Sequence, residues 1–220
     1  LGDTEKFLTA VIKDDEQYFT PNKKLKLPVV IQKIALITAQ NSDGQRDFKN
    51  ELLNNNYGYA FEIDEYLCQI QGDKAHENII MQFEKIMASI MHYDCVAMVR
   101  GGGSETDFKP FEQYELAKLV ANFHIPIFTG IGHDRNTSIA DLMARQLKTP
   151  TKVAAHIVDH NYMFENNLLY QFNQIEQNIA LKIDRAKQNL VNLKRLLQSL
   201  DPKNVLKKGY ALVKLNNKII

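Results

Sequence analysis

Cysteine is scarce in this chain: two in 220 residues. Cys68 and Cys95 each sit in an apolar, strand-like run, so both read as reduced, buried thiols of a cytoplasmic protein. An excess of either charge is also lacking. Twenty-seven Lys and Arg against 26 Asp and Glu leave a formal net charge of +1. A chain-wide basic surface is thereby excluded, and any nucleic-acid surface has to be local or lie on another part of the protein. No run of about 18 apolar residues occurs, which excludes a transmembrane helix and a membrane partner. The beginning lacks the pattern of a signal peptide. The chain opens on Leu1 and closes on Ile220 in a strand-like run, which reads as a piece cut from a longer protein.

What is present is ordinary globular composition, 45% hydrophobic and 24% charged, enough for one α/β domain plus an extension. Residues 5–19 read as a short amphipathic helix, and a basic linker follows, so 1–32 is expected to be an N-terminal helix and linker. Residues 33–151 alternate strand and helix signals. The strands are expected at Lys33–Ala39, Tyr59–Cys68, Cys95–Val99 and Pro126–Thr129. The helices are expected from the Gln40–Gly44 turn through Leu53, after Gly72, over Phe111–Phe123 and over Thr137–Leu147. Such alternation implies βαβ units, a mostly parallel sheet and right-handed crossovers, hence a doubly wound α/β fold. From 152 to 200 the pattern changes. Leu168, Phe172, Ile175 and Ile179 alternate four and three apart, Ile183 breaks the step, and Ala186, Leu190, Leu193, Leu197 and Leu200 resume it. This is a coiled-coil seam with one stutter. A helix of that length would run roughly 70 Å and overhang the domain, so it calls for a partner. Asp201-Pro202 stops it, and 201–220 reads as a terminal β segment turning at Asn216-Asn217.

The stretch with chemical content is Val96–Asp107, VAMVRGGGSETD. A buried strand ends in Arg100 and three glycines, Gly101, Gly102 and Gly103. Glycines open backbone conformations closed to other residues, and successive N–H groups form an anion-binding nest. Ser104-x-x-Asp107 resembles a capping box and is expected to start a helix whose positive end faces the same place. Phosphate is the ligand such a loop fits, with an unliganded tight turn as the alternative. It is not a P-loop, because the Lys-Ser/Thr pair is missing. Ligands of doubly wound sheets bind outside the carboxyl ends of the strands. That rule selects the loops after Ala39, Val99 and Thr129, which bring Asp47, Arg100 and Gly132-His133 to one edge.

At this point the residues resemble a known family, the large subunit of exodeoxyribonuclease VII. The resemblance rests on VRGGGSETD, an Ile-Pro strand, GIGHD followed by SIADLMA, TPTKVAA, and DPKNVLKKGYALVK near the end. It implies a cytoplasmic hydrolase that degrades single-stranded DNA to short oligonucleotides, with no divalent metal or other cofactor strictly required. It also implies a small helical subunit bound in several copies along the coiled coil. The family's N-terminal OB domain is absent here, and its coiled coil is usually longer than Lys152–Leu200, so fewer small subunits would fit. Carried over by position, the family's catalytic residues fall on Asp47, Arg100, His133 and Asn136, with Gly101, Gly102, Gly103 and Ser104 holding phosphate. Asn136 is a departure, because the family has aspartate there. Asp134 stands where Glu is usual, and Asp141 matches the family's Ile-Ala-Asp.

The chemistry suits those residue types. Arg100 can chelate two phosphoryl oxygens with its planar fork, or instead cap a strand end or pair with Asp47. His133 titrates near neutrality and can move a proton or attack the phosphorus, or merely brace its loop. Asp47 can orient His133 or a water, or be a surface acid of its helix. Asn136 can cap the following helix, since Asn and Asp cap equally well. His156-x-x-Asp159-His160 has a metal-capable spacing, but surface histidines are the favoured reading. A catalytically weak DNA-binding or assembly scaffold is the rival function, and a nucleotide-binding doubly wound domain is a third.

Overall fold

The computed structural model describes residues 12–14, 17–72, 74–101, 105–132, 137–211, 213–216 and 218–219. It divides into two compact units, Leu1–Glu165 and Asn166–Ile220. In chain order the elements of the first are β1 (Ile12–Asp14), β2 (Gln17–Phe19), α1 (Pro21–Lys24), β3 (Lys33–Thr38), α2 (Asp43–Leu53), β4 (Glu62–Leu67), α3 (Ala75–Ala88) and β5 (Cys95–Val99). Then come a 3-10 helix (Glu105–Glu112), α4 (Tyr114–Asn122), β6 (Ile127–Gly130), α5 (Ile139–Met143), β7 (Arg145–Gln146) and the start of α6 (Pro150–Leu200).

Strands β3 to β7 form one parallel sheet in the order β4-β3-β5-β6-β7. The three middle strands are buried on both faces, as near-continuous apolar runs such as CVAMV require. Alternate side chains feed two cores. Ala35, Ile37, Val96 and Met98 pack with Ile79, Phe83 and Ile86 of α3 and Leu116 and Val120 of α4. Ile34, Leu36, Ala97 and Phe128 pack with Phe48 and Leu52 of α2 and Val153, Ala154 and Ile157 of α6. The fold is therefore doubly wound α/β. The chain moves from β3 outward to β4 and then returns to the other side of β3 as β5, which puts the switch point between the carboxyl ends of β3 and β5.

Three expectations need correction. Within the expected N-terminal helix, Ile12–Asp14 and Gln17–Phe19 form the antiparallel pair β1 and β2 instead; Tyr18 lies half-buried against the core, and an aromatic beside other strand-forming side chains suits a pleated ribbon. The helix expected over 137–147 stops at Met143. Ala144 is extended, and the chain continues as a fifth strand, β7. Tertiary bonds override the local helical pattern there: the Arg145 guanidinium donates to the Asn22, Lys23 and Leu25 carbonyls, and Leu147 N–H donates to Thr129. Finally, the segment after the glycines is 3-10 rather than α, with Pro110 inside it, and α4 begins only at Tyr114. Proline removes a donor and clashes with the preceding turn, so a regular α-helix cannot run through it.

Buried Asn22 pins the N-terminal segment to the sheet. It donates to Phe123 and Ile125 carbonyls at 2.8 and 2.7 Å and accepts from Ile127 N–H at 3.0 Å. The second unit comprises the remainder of α6, a short α7 (Pro202–Leu206), and a hairpin of β8 (Lys214–Leu215) and β9 (Lys218–Ile219). Asn216 takes a positive φ of 51° in its turn, a conformation asparagine tolerates. Along α6 the expected seam residues, among them Leu168, Ile175, Ile179, Leu190 and Leu197, are all solvent-exposed.

Candidate functional site

Three turns build the site at the switch point. After β3 the chain reverses through Asn41, at φ 55°, whose N–H donates to Gln45 Oε1 at 2.7 Å. Ser42 then caps α2 by accepting Gln45 N–H at 3.1 Å. After β5 comes Arg100, whose N–H donates to the Gly130 carbonyl at 3.1 Å and so ties the ends of β5 and β6 together. Gly44, early in α2, and Gly101, after β5, touch backbone to backbone. A Cβ on Gly44 would lie 2.4 Å from Gly101 N, and one on Gly101 would lie 2.6 Å from Gly44 N. Only two glycines allow this approach. The start of α2 thus brings a positive helix end against Gly101, across the switch point.

A cavity of about 420 Å³ opens here. Ser42, Asp43 and Arg46 line it from α2, Gln69 and Gln71 from the turn after β4, and Arg100 and Gly101 from the turn after β5. Arg100 is 4% exposed, and its guanidinium carbon lies 4.6 Å from the centroid of the Phe108 ring. Phe108 comes from the 3-10 helix, so that helix supplies a platform under the cation rather than a dipole. A buried guanidinium seated over a ring keeps its planar fork of donors for a planar or tetrahedral oxyanion.

Of the residues expected at the site, Arg100 and Gly101 come together in this cavity. Asp47 is exposed on α2, one turn beyond Asp43, and does not line the cavity. Gly102, Gly103, Ser104, His133, Asp134 and Asn136 lie outside the described residues. The strand that leads to His133 is described: Gly130 pairs with Val99, directly before Arg100. After that loop, Ser138 and Asp141 form a full capping box, with Ser138 Oγ donating to Asp141 Oδ2 at 2.8 Å. Asp141 is fully buried beside Thr129, and burial raises its carboxyl above the ordinary range against the opposing pull of these hydrogen bonds.

Sequence reasoning missed Asp43, Arg46 and the two glutamines. The Ser42 cap and Gly44 were a visible signal for the helix start, but only the sheet order reveals that this start faces Gly101. Elsewhere, the two helical histidines have separate structural partners: His156 packs edge-on to Phe128 at 5.3 Å, and His160 Nε2 sits 2.8 Å from the Pro28 carbonyl. Burial lowers the pKa of His156. Among the described residues no group of three or more His, Cys, Asp and Glu is placed to hold a metal ion. The thiols are free; burial pushes Cys68 up to about 11 and Cys95 higher still. Among the described residues no helix is long and apolar enough to cross a membrane.

A family model described as “Exonuclease VII, large subunit” matches residues 18–195. The chain belongs to the exonuclease VII large-subunit family. Among curated members, the exodeoxyribonuclease 7 large subunit of Lactobacillus acidophilus is 32% identical over 176 residues, covering 77% of this chain and 38% of that protein. The corresponding proteins of Nostoc sp. and Thermotoga maritima are each 27% identical, covering 92% and 98% of this chain and 60% and 66% of theirs. The chain thus spans roughly a third to two thirds of the family members it matches. The family match begins inside β2 and takes in the whole parallel sheet and most of α6, so the switch-point cavity lies inside it.

Proposed function

We propose that this chain is the catalytic part of an exodeoxyribonuclease large subunit, hydrolysing phosphodiester bonds in single-stranded DNA to short oligonucleotides in the cytoplasm. The observation that carries the reading is the buried Arg100 guanidinium in a cavity where Gly101 meets the start of α2, within a chain of this family. In hydrolysis, water adds to phosphorus as the bond to the leaving sugar oxygen breaks, and that oxygen takes a proton. Arg100 neutralises the phosphoryl oxygens, and the nest beginning at Gly101 and continuing through Gly102, Gly103 and Ser104 adds N–H donors. His133 moves the proton. Asn136 holds the loop as a cap and hydrogen-bond acceptor. A small helical subunit binds in several copies along the seam of α6, which the family's designation as a large subunit supports.

Asn136 also favours a second reading, a catalytically weak scaffold, because asparagine cannot take a proton at neutral pH. Hydrolysis of labelled single-stranded DNA, with the small subunit supplied, separates the two. His133→Ala should lose roughly 10²–10⁴ in rate, and Asn136→Asp should change it by less than about tenfold. A hundredfold gain for Asn136→Asp would transfer the conclusion to the scaffold.

A further inference from the structure

Arg100 is not the only guanidinium in the switch-point cavity. Arg46, on the second turn of α2, lines it too, and its Nη2 is bonded to the Asp43 carboxylate, three residues back on the same helix. Both side chains are about two-thirds exposed, Arg46 at 66% and Asp43 at 71%. An exposed pair of this kind is weak and readily exchanged, so a phosphate can take the place of the carboxylate. The cavity volume, about 420 Å³, falls in the range of sites for whole small molecules, about 300–1,000 Å³, and exceeds what one phosphate fills. Its wall is polar on the side of Gln69 and Gln71, suited to a sugar and a base edge rather than an apolar ligand.

We infer that Arg46 is a second phosphate-binding residue: the cavity seats one nucleotide unit of a single strand, with one flanking phosphate on Arg100 and the other on Arg46. Asp43 competes for Arg46 when the cavity is empty and repels the strand when it is full. This rests on the nuclease reading above and extends it to a residue outside the glycine loop and the histidine loop. Because the contact is to backbone phosphate, it carries no base selectivity.

The test is equilibrium binding of fluorescein-labelled oligothymidylate to the chain, followed by anisotropy over a series of KCl concentrations. Loss of one phosphate contact lowers the slope of log K against log salt by about 0.7 for a single strand. Arg46→Ala should show that drop and bind about tenfold more weakly at low salt. Arg46→Lys should restore the slope. Asp43→Asn should bind more tightly than the unsubstituted chain. A wild-type slope and affinity in Arg46→Ala, or weaker binding in Asp43→Asn, overturns the inference. If Arg46→Ala is unchanged while Arg100→Ala loses binding, the nuclease reading stands and the role of Arg46 falls. If the unsubstituted chain does not bind the oligonucleotide, both fall. Arg46 is exposed, so its variants keep the fold, and thermal unfolding checks that they do.

Discussion

Asp141 carries a carboxyl into the interior with Ser138 and Thr129 for company. Desolvation of the charged form is the dominant influence, and it raises the pKa. The folded protein therefore holds the Asp141 proton more tightly than the unfolded chain, where the carboxyl titrates near about 3.9. The stabilisation this provides is fully present below that unfolded value and is lost as pH rises through the raised folded value. Asparagine at this position stays neutral and keeps an oxygen for the Ser138 donors. Asp141→Asn should thus gain stability relative to the natural chain as pH climbs from about 4 toward neutrality. Urea unfolding at a series of pH values measures it, and parallel pH profiles would show that Asp141 ionises in the fold at no cost. Residue-level legibility was uneven. Arg100 could be read directly, because an arginine between a buried strand and three glycines has few other uses. Arg46 could not, because nothing in a helical DGQRD stretch says which face of α2 meets the turn after β5.

The paired glycines tie two elements rather than two residues. Gly44 lies in a helix, where alanine would ordinarily add roughly 1 kcal/mol through backbone entropy. Here its Cβ would come within 2.6 Å of the Arg100 carbonyl carbon and 2.4 Å of Gly101 N, and neither is a movable side-chain end. Overpacking against rigid backbone costs about 1–3 kcal/mol, so the clash decides the sign. Gly44→Ala should lower stability in urea and weaken oligonucleotide binding together, since opening the contact pulls the start of α2 off the glycine loop. A stabilised Gly44→Ala would show that α2 does not press on Gly101. At this scale strand positions were readable wherever both faces are buried, as in Cys95–Val99. Two-residue β7 was not, because Arg145 makes its strand through carbonyls of Asn22, Lys23 and Leu25, more than a hundred residues earlier. The same holds for the 3-10 segment, where Pro110 outweighed a plausible cap at Ser104.

At the scale of the whole molecule, short apolar runs alternating with helical stretches over 33–151, and a sustained four-three spacing from 168, separate the sheet-bearing part from the long helix without any structure. What the seam does is a matter of energetics. Leu190 and Leu197 are 67% and 71% exposed, and each leucine gains about 1.5–3 kcal/mol when fully buried. Exposed apolar rows of that extent on a helix mark a binding face. The four-three spacing from Leu168 to Leu200 suits another helix as the occupant, entering knobs into holes. Replacing Leu190 and Leu197 with aspartate removes both contributions and sets two charges in the seam. That should weaken binding of a small helical subunit by more than about a hundredfold, enough to abolish co-purification. The sheet-bearing unit has its own two cores, neither of which uses residues beyond Val158, so its urea unfolding should not change. The single-strand binding assay used for Arg46 should be equally unaffected in the double variant. Co-purification that survives both substitutions would mean the small subunit docks elsewhere, and the exposed row on α6 would then require a different partner.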